Sequence, residues 1–259
     1  MHLTRVSLES HVAVLTMVSE PVNALGKPLR NEVSFQLRGL ERNPDVRAVV
    51  LTSGLRTFAA GADIQELQQI LEQPEHMSFF TDDIQGFIRE VESFPKPLIA
   101  AMGGHALGGG LELALCCDLR IGLAEAKYGF PEVGLGLIPA GGGNSKLASM
   151  IGHARAAEMI LTGKIIDGQT ASAYGLFNGF GESPEDVLEQ AKALAAKVAT
   201  NGPLAVRKAK HIMSTSQMLG LDCGIQEERS AFIELLQSQD ALEGLQAFQQ
   251  KRSANYRGA

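Results

Sequence analysis

The sequence has no tryptophan and only three cysteines among its 259 residues. Cys116, Cys117 and Cys223 are odd in number, and no Cys-x-x-Cys or Cys/His spacing of a zinc site surrounds them. This pattern argues against a disulfide framework and against a metal site. We therefore expect no bound metal. We also expect all three cysteines to be small buried side chains, as free cysteine commonly is.

Basic residues are too few and too dispersed to indicate a nucleic-acid partner. Lys and Arg number 23 against 29 Asp and Glu, which gives a formal net charge of −6, and no basic stripe is visible. No apolar run approaches the length of a membrane span, and the segment around Arg5 and Glu9 lacks the apolar core of a signal peptide. We expect a cytoplasmic protein that binds neither nucleic acid nor membrane.

The periodicity of the chain predicts an α/β fold. Strands are expected over 3–9, 11–17, 46–52, 98–102 and 119–121, alternating with glycine-containing loops and with helices that begin at Pro28, Ile64 and Phe79. This recurrence indicates stacked ββα units. The continuous apolar character of 46–52 favours a strand covered on both faces. Beyond about residue 145 we expect a helical appendage with helices over 154–161, 184–199, 203–213, 223–237 and 240–252.

The glycine run Gly108–Gly110 with Glu112 behind it is the most informative local pattern. A glycine turn that enters a helix leaves backbone N–H groups free for an oxyanion or a phosphate, but it also serves as a tight packing turn. The spacing of these glycines matches neither a Walker motif nor a dinucleotide-binding motif. Five apolar residues follow Glu112, so its carboxylate is expected to be buried, the alternative being a helix-capping carboxylate.

A second lone carboxylate, Glu132, lies in an apolar, glycine-broken segment. If it shares a pocket with Glu112, desolvation and repulsion would raise at least one pKa and make the pair suitable for acid/base work near neutral pH. The loop before Asp63 is also built of small residues. Asp63 with Glu66 matches a capping box, while the N–H of Ala62 is open to a ligand and, with the glycine run, would complete an oxyanion hole.

Two further features are assigned structural roles. His105 has no partner residue with nucleophile-elbow spacing, so we expect it to line a pocket or lie in the core. Gly141–Gly143 reads as a second glycine turn into a helix, a source of amides or a purely structural turn.

The motifs resemble those of the crotonase, or enoyl-CoA hydratase/isomerase, superfamily. They run nearly end to end: PVNAL at 21–25, FAAGADI at 58–64, PKPLIAAMGGHALGGGLELALCCDLRIG at 95–122, YGFPEVGLGLIPAGGG at 128–143, LTGKIIDGQTASAYGL at 161–176 and FQQKRSANY at 248–256. The resemblance implies a crotonase-like superhelix of stacked ββα turns over 1–195. It also implies a C-terminal helical trimerisation region over 196–259 that forms a homotrimer or a dimer of trimers.

The same resemblance implies an acyl-CoA thioester substrate and no separate cofactor. Glu112 and Glu132 match the family's two catalytic acids, and Ala62 and Gly109 match its oxyanion-hole amides. Substrate-binding positions carry over to Ala24, Ala60, Ala62, Asp63, Ile64, Gln65, Gly109 and, for a CoA phosphate, Lys251. The implied activity is the hydro-lyase reaction of fatty-acid β-oxidation, syn addition of water across the 2,3 double bond of a 2-enoyl-CoA.

Other activities of proteins with the same fold remain alternatives. An enoyl-CoA isomerase and a 3-hydroxyacyl-CoA dehydratase of a special pathway are alternatives, as is a non-catalytic RNA-binding or scaffold member. Retention of both glutamates favours the hydratase. Gln65 stands where a lysine is common, and Gly143–Leu147 departs from the usual Gly-Thr-Gln-Arg-Leu, so the CoA contact and the acyl pocket are expected to differ from the family pattern.

Overall fold

The computed structural model describes residues 2–259. The strands are β1 (Thr4–Glu9), β2 (Val12–Met17), β3 (Ala48–Ser53), β4 (Thr57–Ala59), β5 (Leu98–Met102), β6 (His105–Leu107), β7 (Leu119–Leu123), β8 (Lys127–Gly129), β9 (Ile165–Asp167) and β10 (Gly179–Gly181). The helices are α1 (Lys27–Arg42), α2 (Ile64–Leu71), α3 (Met77–Glu92), α4 (Gly109–Leu115), α5 (Gly143–Ile151), α6 (His153–Thr162), α7 (Gly168–Ala173), α8 (Pro184–Ala199), α9 (Pro203–Leu219), α10 (Leu221–Leu236) and α11 (Gln239–Gln250). Short 3-10 turns span Pro74–His76 and Pro131–Leu135.

The strands form two sheets, and from β3 to β8 consecutive strands alternate between them. One sheet has the order β1-β2-β3-β5-β7-β10 and the other the order β4-β6-β8-β9. The strand pairs β3–β4, β5–β6 and β7–β8 therefore each contribute one strand to each sheet, which confirms the predicted stacking, whereas β1 and β2 pair with each other in the larger sheet. β4 pairs with β6 and β6 with β8 in parallel. Because parallel strands end at the same sheet edge, the loops that follow β4 and β6 emerge side by side.

Helix α8 covers the outer face of the larger sheet. Its buried residues recur every fourth position, Val187, Ala191, Ala195 and Ala199, and they pack in one cluster with Val50 of β3 and Ile99 of β5. The opposite side of β3, with Val49 and Leu51, belongs to the main core. The expectation that this strand is buried on both faces is confirmed.

The helical appendage expected from about residue 145 begins later. Leu147 and Ile151 of α5 and Ala156 and Met159 of α6 are part of the main core, and α8 packs on the sheet. Only α9–α11 form a C-terminal helical region. The division placed at residue 195 falls within α8, so the exact boundary between the two parts stays a prediction.

Some local expectations were wrong. The three-residue strands β4, β6, β8, β9 and β10 were not anticipated, because so short a segment cannot display a period of two. Cys116 and Cys117 are buried as expected, but Cys223 is exposed on α10. Within residues 2–259, none of the helices combines the length and the apolar character needed to cross a membrane.

Candidate active site

Two backbone amides from neighbouring loops lie side by side. Ala62 precedes α2, whose N-terminus is capped by Asp63 Oδ1 accepting from the amides of Gln65 (2.8 Å) and Glu66 (3.3 Å). Gly109 opens α4, and a Cβ placed on it would lie 3.6 Å from the Ala62 nitrogen. Neither amide donates a hydrogen bond to any atom of residues 2–259. The pair is therefore available to a single ligand oxygen, as an oxyanion hole requires.

Glu112 lies on α4 and is only 3% exposed. Its Oε1 accepts hydrogen bonds from the amides of Gly141 (2.7 Å) and Gly143 (2.8 Å). Burial raises the pKa of Glu112, and these two amides act against that rise by stabilising the carboxylate. The carboxylate therefore does not cap its own helix, and the second glycine turn serves as a source of amides.

Glu132 lies on the 3-10 turn Pro131–Leu135, and its Oε2 is buried without a hydrogen-bond partner. Its Oε1 lies against the glycine run, because a Cβ placed on Gly108 would come within 2.7 Å of it. Burial raises the pKa of Glu132 to about 7, and the negative charge of Glu112 contributes to the rise. A carboxyl group with this pKa exchanges protons near neutral pH.

Both carboxylates and both amides line one cavity of about 330 Å³. The remaining wall is largely apolar and comes from α2, α3 and the segment 135–140, with Leu67, Phe80, Ile84, Phe87, Ile88, Leu135, Leu137 and Ile138. Acid/base groups, oxyanion donors and an apolar compartment thus share one space. Such an arrangement suits a carbonyl substrate with an apolar substituent.

Comparison with known proteins assigns the chain to a family. The sequence matches the family model described as Enoyl-CoA hydratase/isomerase over residues 7–259. The chain belongs to the enoyl-CoA hydratase/isomerase family. A probable enoyl-CoA hydratase of Bacillus subtilis (strain 168) is 38% identical over 258 residues, which cover 100% of both chains. The 2,3-dehydroadipyl-CoA hydratase of Escherichia coli (strain K12) is 36% identical over 256 residues, 98% of both chains.

A solved structure of the family extends this agreement to the fold. The crystal structure of enoyl-CoA hydratase from Bacillus anthracis superimposes with a TM-score of 0.93 at 36% identity and covers 99% of this chain and 100% of that one. The expected crotonase-like fold is confirmed. The expected enzyme class, a hydro-lyase of the enoyl-CoA hydratase type, is likewise confirmed by the enoyl-CoA hydratase/isomerase relatives.

The structure divides the substrate-binding residues carried over from the family into two groups. Ala60, Ala62, Ile64 and Gly109 line the cavity. Ala24, Asp63, Gln65 and Lys251 are not among the lining residues; Asp63 caps α2, and Lys251 is exposed at the end of α11. Contacts of this second group with CoA stay predictions.

Two polar residues behave differently from expectation. His105 is exposed, and its Nδ1 accepts from the amide of Lys127 at 3.0 Å, so it neither lies in the core nor lines the cavity. Arg30 was not anticipated as a site residue, yet it lines the cavity. Its only sequence signal is a charged residue next to Leu29 on the buried face of α1. Among residues 2–259, no group of three His, Cys, Asp or Glu side chains is arranged to hold a metal ion.

The raised pKa of Glu132 makes stability depend on pH. Between the ordinary glutamate value of 4.5 and the folded value of about 7, the folded state holds more protons than the unfolded state, so stability falls as pH rises. Glu132→Gln removes this titratable group, so the variant lacks this loss of stability with rising pH. We expect the difference in Tm, variant minus unaltered protein, to increase by a few degrees between pH 4 and pH 8, measured by calorimetry. A Tm difference that is constant over this range would contradict the raised pKa.

Proposed function

We propose that the protein is an enoyl-CoA hydratase that adds water syn across the 2,3 double bond of a 2-enoyl-CoA to give a 3-hydroxyacyl-CoA. The observation that carries the proposal is that two coupled carboxylates and two unpartnered amides line one apolar cavity. Isomerases and dehydratases of the same family remain its closest alternatives, since they also act on acyl-CoA thioesters.

The amides of Ala62 and Gly109 bind the thioester oxygen. Negative charge grows on that oxygen when water adds to the conjugated double bond, because the electrons of the bond move towards the carbonyl. Donors placed in advance at this position stabilise the enolate-like transition state by roughly 3–4 kcal/mol each at most. Neither amide has to break a hydrogen bond within the protein to do so.

The two glutamates hold the water between them. Glu112 accepts two amide hydrogen bonds that favour its ionised form, so it acts as the base that takes a proton as the water oxygen bonds to Cβ. Glu132, with its pKa near 7, supplies the proton that bonds to Cα. After the reaction Glu112 is protonated and Glu132 is ionised. Transfer of one proton from Glu112 to Glu132 within the coupled pair restores both groups.

The surrounding features fit this role. The apolar wall accommodates the acyl chain, CoA enters as part of the substrate, and no other cofactor is needed. Exposed apolar residues on α9–α11, including Met218, Phe232, Leu245 and Phe248, support assembly into a homotrimer or a dimer of trimers. We further propose a cytoplasmic role in fatty-acid β-oxidation.

The test is hydration of crotonyl-CoA, followed as the loss of enoyl absorbance and by identification of 3-hydroxybutyryl-CoA. We expect turnover that rises linearly with enzyme concentration. Conversion of a 3-enoyl-CoA to the 2-enoyl isomer without hydration would instead identify an isomerase. No turnover of any enoyl-CoA together with salt-sensitive RNA binding would favour a non-catalytic member.

A further inference from the structure

Arg30 is a buried charge to which the proposed hydration gives no role. It lies on α1 and is 4% exposed, although its guanidinium is not deprotonated in proteins. A buried charge is strongly unfavourable unless hydrogen bonds and opposite charges compensate it. The groups that compensate Arg30 therefore show which parts of the chain its side chain holds together.

The Arg30 guanidinium bonds three separate segments of the chain. Its Nη1 donates to the Leu25 carbonyl at 2.5 Å and to Glu66 Oε2 at 3.0 Å. Its Nη2 donates to Glu66 Oε1 at 3.1 Å and to Asp83 Oδ2 at 2.6 Å. Because Glu66 lies on α2 and Asp83 on α3, one side chain of α1 joins both helices to the segment that precedes α1. The planar guanidinium holds these partners in a fixed geometry.

Leu25 connects this cluster to the oxyanion loop, residues 60–62. The carbonyl of Leu25 accepts from Arg30, and its amide donates to the Gly61 carbonyl at 2.8 Å. Gly61 directly precedes Ala62, whose amide is one of the two oxyanion donors. Only one residue thus separates the guanidinium from the backbone that carries this donor.

Leu25 also packs against the second donor. A Cβ placed on Gly109 would lie 3.7 Å from Leu25 Cδ1 and 3.7 Å from Gly61 Cα. A Cβ placed on Gly61 would lie 3.4 Å from the Gly109 nitrogen. The two loops are therefore in close contact, and a displacement of Leu25 would change the spacing of the two amides.

Glu66 attaches the far side of the same loop. It lies in the first turn of α2, four residues beyond Ala62, and binds Arg30 through both carboxylate oxygens. Its Oε2 also accepts from the Lys27 amide at 3.2 Å, which joins the start of α1 to the start of α2. The guanidinium therefore holds the oxyanion loop from two sides, through Leu25 and through Glu66.

We propose that Arg30 is a positioning residue that fixes the oxyanion loop, and with it the spacing of the Ala62 and Gly109 amides, by binding Leu25 and Glu66 together. The inference rests on the proposed function, in which these amides bind the thioester oxygen. Donors of an oxyanion hole stabilise the transition state only when they are aimed at the oxygen. A loosened loop should therefore lower kcat more than it weakens substrate binding.

Arg30→Lys tests the proposal. Lysine keeps a positive charge for Glu66 and Asp83, but one ammonium group cannot form the four guanidinium bonds, so Leu25 would lose its fixed partner. We expect kcat for crotonyl-CoA hydration to fall about 10- to 100-fold while KM stays within about threefold. A loss of this size is typical when catalytic groups shift by up to about 1 Å.

The carbonyl stretching band of bound butanoyl-CoA distinguishes a positioning role from a folding role. Hydrogen bonds from the two amides polarise the thioester carbonyl and lower its stretching frequency. Infrared difference spectra with butanoyl-CoA labelled at the carbonyl carbon report this band for bound ligand, to which unfolded molecules do not contribute. We expect the band of the unaltered protein to lie below that of free butanoyl-CoA, and the band of Arg30→Lys to return at least halfway to the free value.

Arg38→Lys is the matched control. Exposed Arg38 also lies on α1 and bonds α3, through Glu90 at 2.6 and 3.1 Å. Within residues 2–259 it joins these two helices without a hydrogen bond to Leu25, so the control should keep kcat within about twofold and leave the carbonyl band unchanged. Equal shifts of the band in Arg30→Lys and Arg38→Lys would overturn the proposal, because packing of α1 on α3 would then account for both.

The remaining outcomes are decisive as well. If Arg30→Lys does not fold, Glu66→Gln replaces it, since glutamine keeps the volume but loses the charge and one of the two bonds to the guanidinium. An unchanged band and kcat in the variant that folds would overturn the proposal. The absence of any band shift in the unaltered protein would overturn it together with the oxyanion hole.

The same measurements separate this inference from the proposed function. Hydration of crotonyl-CoA by the unaltered protein, combined with an unchanged band and kcat in Arg30→Lys, would reject the inference and leave the hydratase intact. A band that moves in Arg30→Lys, although the unaltered protein does not hydrate crotonyl-CoA, would support the positioning role and reject the hydratase.

Discussion

Glu132→Gln is expected to lower kcat for crotonyl-CoA hydration by about 10²- to 10⁴-fold, the usual contribution of a general acid or base. Glutamine fills the same volume but has no proton to deliver to Cα. Glu112→Gln should cause a loss of the same order. Its side-chain oxygen can still accept from the amides of Gly141 and Gly143, so the loss would report the missing base rather than a displaced loop.

Glu158→Gln provides the control for both variants. Glu158 lies on α6 and pairs with Lys164 at the surface, so its replacement should leave kcat within about twofold. Rates are measured by the loss of enoyl absorbance, with thermal unfolding as the check on folding. If Glu112→Gln or Glu132→Gln, each tested alone, retained most of the activity, the two-carboxylate mechanism would be wrong.

Gly108→Ala is expected to lower kcat by about 100-fold or more. Gly108 has φ +52° and ψ −130°, a conformation that residues with a Cβ rarely adopt. The new Cβ would also lie 2.7 Å from Glu132 Oε1 and would push the carboxylate from its place. A shift of about 1 Å in a catalytic group is enough for a loss of this size.

Gly175→Ala separates the effect of backbone strain from the effect of the contact with Glu132. Gly175 also has a positive φ, +84°, but no atom outside its immediate neighbours lies within 4 Å of its ideal Cβ position. We expect it to lower Tm while kcat stays within about twofold, whereas Gly108→Ala should lower both. Equal kcat values for the two variants would show that the contact between Gly108 and Glu132 has no bearing on catalysis.

The long elements were predictable because their patterns are local. The apolar run of β3 indicates a strand covered on both faces, which the structure confirms, and the helix expected over 184–199 is present as α8, although it packs on the sheet rather than in an appendage. The short strands β4 and β8 were not predictable. A three-residue strand has no period of its own and exists because a neighbouring strand supplies its hydrogen bonds.

In the candidate site, too, local features were predictable from the sequence and contacts between distant segments were not. A lone carboxylate in apolar sequence already indicates burial, and Glu112 and Glu132 were found in this way. The partners that determine their chemistry come from elsewhere in the chain, since the amides of Gly141 and Gly143 lie 29 and 31 residues beyond Glu112. Arg30 was not anticipated, because an arginine on a helix normally faces solvent, whereas its ion pairs with Glu66 and Asp83 hold it buried beside the cavity.

The sequence by itself determined the family, the ββα alternation and the residue types able to polarise a thioester and to move protons, since these depend on local spacing and composition. Only the tertiary structure decided that the Ala62 and Gly109 amides lie together without partners and that the two carboxylates share one apolar cavity. Proximity between distant segments and desolvation of charged groups arise only when the sheets and helices pack, and these set the pKa of Glu132.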